Sequence, residues 1–224
     1  SASARMIGPS STQMAARLGE KLVAYPGVEH MTHFRMMNVP YADSYVLLIS
    51  LELERWLKYN KMIVMEGSFE EGLPKVLAGE GLFVSDNFAR LYRVGVGDRI
   101  TLGTPTGAHA YEVMCVIRDF SSDNGVIFAD RILSVRDYTD PMVDSFGLYL
   151  APGTDDLALR ERIAADLGEE YNLFVMTNRE FRGDIDRVVD QSFQIAYVLV
   201  VLSLLISLLG IINTLLAEVI DRTR

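Results

Sequence analysis

The residue types that most often carry chemistry are few in this chain, and their spacing supports no catalytic or metal site. The three histidines are His30, His33 and His109. His30 and His33 are three residues apart, which suits a metal only on a helix, but they lie at the expected start of a strand with no cysteine nearby. Ser85 lacks the G-x-S-x-G setting of a nucleophilic serine. The single cysteine, Cys115, cannot form an intrachain disulfide, and its apolar neighbours favour a small core residue.

Phosphate-binding and acidic patterns are equally incomplete. The run Gly95–Asp98 (GVGD) resembles part of a dinucleotide fingerprint, but the third glycine and the following helix are missing, so a tight turn is expected. There is no G-x-x-x-x-G-K-[ST], so the chain is not expected to bind ATP in the manner of a P-loop protein. Glu66, Glu70, Glu71 and Glu80 could do acid–base work or bind calcium, but their spacing matches no calcium loop and favours a solvated surface. We therefore predict no catalytic, metal-binding or cofactor-binding residue, and a protein that is not an enzyme.

Composition limits the remaining classes of function. The chain has 224 residues, of which 50% are hydrophobic, and a formal net charge of −9. This length suits one or two domains with a sizeable core. The acidic balance argues against nucleic acid, which attracts basic patches, and against a domain that lies flat on anionic lipid.

The segment Gln191–Ala217 predicts a transmembrane helix. It contains no charged residue, and a bilayer core of roughly 30 Å needs about 20 apolar residues as helix. A buried core helix is the alternative. Four small residues on one stripe (Ser203, Ser207, Gly210 and Thr214) indicate that the helix packs against other membrane helices, because small residues let helix backbones approach closely.

This helix is expected to begin outside the membrane. Thr177 to Glu180 have the form of a capping box with Thr177 as the N-cap, which predicts one stalk and transmembrane helix over residues 177–220. The first residues contain no apolar core of a signal peptide. We therefore expect a piece of a longer membrane protein, in which residues 1–6 are either vector sequence or the tail of an earlier helix.

The order of the predicted elements indicates an α+β fold. A helix to about Ala24 is followed by two strands, and a strand, a helix and a strand close the soluble part. The middle of the chain shows mostly short strands, while Gly67–Gly81 is rich in Gly and Glu and is interpreted as a loop. We predict a discontinuous α/β lobe from residues 10–59 and 141–176, and an inserted β-rich lobe from residues 60–140.

Three segments of the chain carry short motifs that matter in combination. The first is Leu82–Leu102, with a serine at the end of a strand and V-G-V-G-D before the next strand. The second is Tyr111–Phe120 (YEVMCVIRDF), and the third is Leu208–Leu215 (LLGIINTL) at the expected membrane exit. Together, in this order and over about residues 67–224, these segments resemble the FtsX-like permeases, the membrane subunits of MacB-type ABC transporters. Cys115 of the second segment stands where that family usually has glycine.

The resemblance implies a function. Residues 10–176 would form the periplasmic or extracellular domain of an inner-membrane permease, with a porter-like α/β lobe and an inserted lobe. Its partners would be a separate ABC ATPase subunit and other transmembrane helices, with the permease as a dimer. The domain would act on a lipid, lipoprotein, peptide or partner protein. The alternative is the sensor domain of a transmembrane receptor such as a histidine kinase.

Overall fold

The computed structural model describes residues 3–7, 17–171, 173–180, 183, 193–194 and 197–212. The chain divides into two compact units, Ser1–Asn178 and Arg179–Arg224. The elements of the first unit are, in chain order, β1 (Ser3–Ile7), α1 (Arg17–Val23), β2 (Val28–Tyr41), β3 (Ser44–Leu51), α2 (Leu53–Tyr59), β4 (Val64–Gly67), α3 (Phe69–Leu77), β5 (Gly81–Ser85), α4 (Asp86–Tyr92), β6 (Arg99–Thr104), β7 (Gly107–Ile117), β8 (Val126–Asp130), α5 (Arg131–Arg136), β9 (Ser145–Leu150), α6 (Asp156–Tyr171) and β10 (Phe174–Thr177).

The described strands form one ten-stranded mixed sheet. Its order is β10-β1-β9-β2-β3-β8-β5-β7-β4, and β6 pairs with β7 outside this path. The pairs β3–β8 and β5–β7 are parallel, and the others are antiparallel. The mixed α/β architecture that the sequence predicts is therefore present.

The alternation of side chains along the strands divides the core between the two faces of the sheet. Met31 and Val39 of β2 and Leu48 of β3 point to one face, and Phe34 and Ile49 point to the other. The first face carries two core clusters. One lies under α1 and α6 and includes Met31, and the second lies under α4 and α5 and includes Val39 and Leu48. The opposite face carries the third cluster, under α2 and α3.

The largest difference from the sequence-based expectation is α3. The segment predicted as a loop, Gly67–Gly81, contains a helix over Phe69–Leu77 despite Pro74 in its interior. Val76 and Gly72 are buried, and a Cβ atom added to Gly72 would lie 2.7 Å from the Cβ of Met114. Packing against the sheet therefore outweighs the poor helix propensity of Gly and Pro, and Gly72 permits the close approach.

The N-terminal region also differs. Residues 3–7 form β1, a strand between β9 and β10 that no local pattern indicated. The helix expected from about residue 10 is described from Arg17 to Val23, and its predicted start lies outside the described residues. The segment Glu54–Met65, whose sequence favours neither helix nor strand, contains all but the first residue of α2 and the start of β4.

The second unit is described only in part. Residues 179–180, 183, 193–194 and 197–212 are helical, as is Asn178 at the end of the first unit. Thr177, the predicted N-cap, is the last residue of β10, and the other residues of the helix predicted over 177–220 lie outside the described residues. The large apolar side chains of residues 197–212 are exposed. Ser203 donates a hydrogen bond to the carbonyl of Leu199 (2.9 Å), and Thr214 of the small-residue stripe lies outside the described residues. Within the described parts of the chain, no helix combines the length and the apolar character needed to cross a membrane.

Candidate functional site

A polar layer separates the two core clusters that share one face of the sheet. It consists of side chains from β2, the end of β3, the region of α5 and the loop before β9: His33, Arg35, Ser50, Glu52, Arg131, Ser134, Asp140 and Asp144. His33 and Arg35 belong to it because they alternate with Thr32 and Phe34 and so point to the same face as Met31. The layer replaces apolar packing at the line where the two clusters would meet.

Arg35 is the centre of the layer. Its Nη1 donates to both carboxylate oxygens of Asp144 at 2.8 Å, and its Nε and Nη2 donate to Asp140 Oδ2 at 2.9 and 2.7 Å. The Arg35 side chain is 12% exposed. Both aspartates lie in residues 137–144, which we call the crossing loop because it connects α5 to β9. Arg35 therefore fixes the crossing loop to the middle of β2.

His33, Glu52 and Arg131 form the second part of the layer. Glu52 accepts a hydrogen bond from the backbone N–H of His33 (2.7 Å), and its other oxygen lies 2.6 Å from His33 Nδ1 and 3.7 Å from Arg131 Nε. Arg131 Nη2 donates to the carbonyl of Pro141 in the crossing loop (2.8 Å). Burial alone would raise the pKa of Glu52, but the hydrogen bonds and charge of His33 outweigh it, and the pKa lies below its ordinary value.

Asp130 connects the first residues of α2 and α5 to the polar layer. Its carboxylate accepts hydrogen bonds from the backbone N–H groups of Leu53 and Ile132, both at 3.1 Å, at the beginnings of α2 and α5. Burial raises the pKa of Asp130 despite these two donors. The layer as a whole offers charge pairing and fixed geometry, which hold β2, the end of β3, α5 and the crossing loop together.

An apolar groove lies on the opposite side of the sheet, with the third cluster. It has a volume of about 390 Å³ and opens between the end of α2, residues 60–62 and the start of α3. The groove is lined by four apolar side chains, Leu57, Met62, Phe69 and Leu73. The ring of Phe69 is held edge-to-face against the buried ring of Phe83, with their centroids 5.0 Å apart.

Three polar residues complete the lining of the groove: Asn60, Lys61 and Glu70. Asn60 is fixed, because its side-chain amide donates to the carbonyl of Trp56 (2.9 Å) and to the hydroxyl of Tyr149 (2.8 Å). Lys61 and Glu70 are exposed and form no ion pair or side-chain hydrogen bond with the residues that the structure describes. The groove thus combines an apolar interior with two available charges of opposite sign.

The structure does not bring the histidines together. His30 packs against the ring of Tyr59, His33 pairs with Glu52, and His109 Nε2 lies 2.9 Å from the hydroxyl of Thr106. Across the described residues, no three metal-ligating side chains are grouped in a way that could hold an ion.

The other residues singled out by their sequence have structural roles. Ser85 caps α4, accepting from the N–H of Phe88 (3.3 Å) and from that of Val126 (2.9 Å). The Gly95–Asp98 run is a turn in which Asp98 accepts from the N–H of Gly95 (2.8 Å). Cys115 is fully buried in the third cluster, and burial raises its pKa to about 11.

Sequence reasoning missed both the polar layer and the groove. One signal was available for the layer, since His33 and Arg35 occupy alternate positions between Met31 and Val39 on a strand face that is otherwise apolar. The partners of Arg35, which are Asp140 and Asp144, lie more than a hundred residues further along the chain. No spacing rule connects positions so far apart.

Comparisons with solved structures define the class of this fold. The periplasmic region of MacB from Actinobacillus actinomycetemcomitans superposes with a TM-score of 0.59 at 10% identity, covering 82% of this chain and 92% of that one. The extracellular domain of the noncanonic ABC-type transporter YknZ from Gram-positive bacteria superposes with a TM-score of 0.56 at 13% identity, covering 78% and 99%. The fold is that of a MacB-like extracytoplasmic domain.

The sequence comparison agrees with this class. The chain is 27% identical over 169 residues to the uncharacterized ABC transporter permease protein Rv0987 of Mycobacterium tuberculosis, which covers 75% of this chain and 19% of the relative. The chain therefore spans about a fifth of the length of that relative. No family model matches the chain. The predicted resemblance to the extracytoplasmic domain of MacB-type, FtsX-like ABC transporter permeases is confirmed.

Proposed function

We propose that the chain is the extracytoplasmic domain and the following stalk and transmembrane helix of an ABC transporter permease. In this proposal a separate ATPase subunit binds and hydrolyses ATP, and the chain itself binds no nucleotide. Helix 177–220 carries the resulting motion to the outer domain. The observation that carries the proposal is the agreement between a permease relative in sequence and a MacB-like domain in fold.

The core of the first unit suits a domain that moves as two lobes. The first cluster takes its residues from positions 18–31 and 143–175, within the proposed α/β lobe of residues 10–59 and 141–176. The second cluster is built mainly from the proposed inserted lobe of residues 60–140, together with β2 and β3. The polar layer between the clusters is held by directional ion pairs, which have discrete arrangements. We propose that motion of the helix changes the relation of the lobes at this layer.

Topology provides the first test. Residues 10–176 should lie outside the cytoplasm of an inner-membrane protein and Arg222 inside, so a membrane-impermeant thiol reagent should label Asp43→Cys in intact cells and not Thr223→Cys. Asp43 is exposed in the turn between β2 and β3. The natural Cys115 is buried, so the reagent should not label it. Labelling at Thr223→Cys with protection at Asp43→Cys would reverse the topology and refute the permease assignment.

Partners and substrate form the second part of the proposal. The permease would assemble as a dimer with its ATPase subunit and pack through the small-residue stripe on other transmembrane helices. Its outer domain would act on a lipid, a lipoprotein, a peptide or a partner protein. Purification of the complex from membranes should recover an ATPase subunit whose hydrolysis depends on the permease. The names of Rv0987, an ABC transporter permease protein, and of YknZ, an ABC-type transporter, favour this function over the receptor alternative.

A further inference from the structure

The groove between α2 and α3 has the size and lining of a ligand site. Ligand pockets have volumes of about 300–1,000 Å³ and combine an apolar lining with a few polar groups. The groove has about 390 Å³ and is lined by Leu57, Met62, Phe69 and Leu73. Three of these four side chains are aliphatic or thioether groups, which adapt to a flexible chain, and methionine fills irregular apolar contacts well.

The apolar lining favours a single chain rather than two. Four side chains form the apolar lining of the groove, Leu57, Met62, Phe69 and Leu73. One extended aliphatic chain can contact all four of them, whereas a second acyl chain would find no further apolar side chain in the lining and would stay in water.

The charges at the groove select the head group. Lys61 and Glu70 both line it, are exposed, and have no ionic partner among the described residues. A head group with only negative charge would be repelled by the Glu70 carboxylate, and one with only positive charge would be repelled by the Lys61 ammonium. A head that carries one charge of each sign can pair its anionic group with Lys61 and its cationic group with Glu70. Such pairs near the surface contribute modestly, so the chain supplies most of the affinity and the charges supply the selectivity.

We propose that this groove binds a single-chain zwitterionic lipid of the lysophospholipid type, with its acyl chain along Leu57, Met62, Phe69 and Leu73 and its head group between Lys61 and Glu70. The assignment rests on the proposed transporter function, in which it names the substrate class. A lipid fits better than an apolar peptide, because one opposed pair of charges and an apolar lining match one zwitterion on one chain. A peptide would present further backbone groups, and beyond the two charges the lining offers them only Asn60, whose amide N–H groups are already engaged.

The test uses the full chain, held in an amphipathic polymer so that no free detergent competes. The probe is n-dodecylphosphocholine below its critical micelle concentration, and the readout is the fluorescence of Trp56, the single tryptophan, which lies next to Leu57 on α2. Saturable binding is expected. Leu73→Asn should weaken it by about tenfold or more, because the chain loses an apolar contact. Lys61→Gln and Glu70→Gln should each weaken it roughly two- to fivefold.

The controls are the neighbouring charges that do not line the groove. Lys58→Gln and Glu71→Gln should leave the affinity within about twofold of the unmodified chain. Dodecyl phosphate and dodecyltrimethylammonium, which each carry one of the two charges, should bind more weakly than the zwitterion, and phosphocholine without a chain should not bind. Circular dichroism establishes that each variant is folded, and Lys61→Gln, an exposed change, keeps the test valid if Leu73→Asn does not fold.

Three outcomes would overturn the proposal. The first is absence of saturable binding by both fluorescence and calorimetry, and the second is equal binding by Leu73→Asn, Lys61→Gln and the controls. The third is tighter binding of an apolar tetrapeptide with blocked ends than of the lipid probe. None of these outcomes affects the permease assignment, which is tested separately by topology and by permease-dependent ATP hydrolysis.

Discussion

Replacing Arg35 by methionine should destabilise the first unit strongly, because Arg35 is the only cation that pairs with the crossing loop's Asp140 and Asp144 among the described residues. The guanidinium makes four short hydrogen bonds to these two carboxylates. Methionine keeps much of the side-chain length and removes every donor. The two carboxylates would then face an apolar side chain across a partly buried layer.

The magnitude follows from the burial of the three side chains. Breaking a fully buried ion pair costs about 3–5 kcal/mol, whereas an exposed pair contributes about 0–1 kcal/mol. The side chains of Arg35, Asp140 and Asp144 are 12%, 19% and 27% exposed, which places them nearer the buried limit. Each aspartate keeps one backbone donor, Met142 N–H for Asp140 and Met36 N–H for Asp144. We therefore expect a loss of about 2–4 kcal/mol in the free energy of unfolding.

Urea unfolding of the chain, followed by Trp56 fluorescence, measures this loss. The matched control is Arg55→Met on α2, since Arg55 is exposed and makes no ionic contact among the described residues; its effect should stay within about 0.5 kcal/mol. Hydrogen–deuterium exchange adds a local readout, because release of the crossing loop should accelerate exchange at Asp144, whose N–H donates to the carbonyl of Phe34 (2.8 Å). A loss below about 1 kcal/mol, with unchanged exchange at Asp144, would mean that the layer contributes no more than a surface ion pair and would refute the reasoning.

Three further changes test the core, a buried carboxylate and the predicted membrane helix. Gly72→Ala should cost about 1–3 kcal/mol in urea unfolding, because the added Cβ would lie 2.7 Å from Met114 Cβ. The hydrogen bond from Arg136 and the charge of its guanidinium lower the pKa of Asp137. The ionised carboxylate therefore stabilises the folded chain at pH values above the ordinary Asp pKa of about 3.9. This stabilisation should be lost as the pH falls through the lowered pKa of the folded state. The difference in unfolding free energy between the unmodified chain and Asp137→Asn should therefore shrink at acidic pH. Gly210→Leu should weaken packing of the predicted membrane helix against a neighbouring helix by on the order of 1 kcal/mol and reduce ATPase activity of the full complex, with the outer domain still folded.

Each of these changes has a control within the chain. Gly168→Ala in α6 meets no atom within 4 Å and should be neutral or stabilising, in contrast to Gly72→Ala. Asp43→Asn, at an exposed position in the turn between β2 and β3, should change the unfolding free energy at neutral pH by no more than about 0.5 kcal/mol, in contrast to Asp137→Asn. Leu205→Ile, which we place on the lipid-facing side of the predicted membrane helix, should leave ATPase activity unchanged. Equal behaviour of Gly210→Leu and Leu205→Ile would remove the evidence for a small-residue interface.

Local patterns were sufficient where the responsible interactions are local. A short helix over Asp86–Tyr92 and a strand over Ser145–Leu150 are predicted from the sequence alone, and α4 and β9 have these bounds. The cap of α4 is the neighbouring Ser85, and the continuous apolar run Leu82–Val84 is typical of a strand with two buried faces, as β5 has. Such signals are read within a few residues, because hydrogen-bonded turns and side-chain periodicity depend only on nearby positions.

Local sequence patterns did not predict the segments whose secondary structure depends on burial against distant parts of the chain. In α3, Gly72 and Pro74 are poor helix residues, and the helix exists because it covers the third cluster. β1 has no pattern of its own and is a strand because β9 and β10 offer edges on both of its sides. In both segments the stabilising partners come from distant parts of the chain, and tertiary packing overrides propensity.

The sequence by itself determined the class of this protein, because three short motifs in their order indicated a MacB-type permease. Only the tertiary structure decided which distant residues form the polar layer and the groove. The polar layer needs Arg35 beside residues of the crossing loop, and the groove needs Leu57 beside Leu73, across two helices and the strand between them. Motifs can be recognised in the sequence because their residues lie close together along the chain. Ion pairs and cavities form only when the chain folds, because strand order and helix placement determine which distant residues become neighbours.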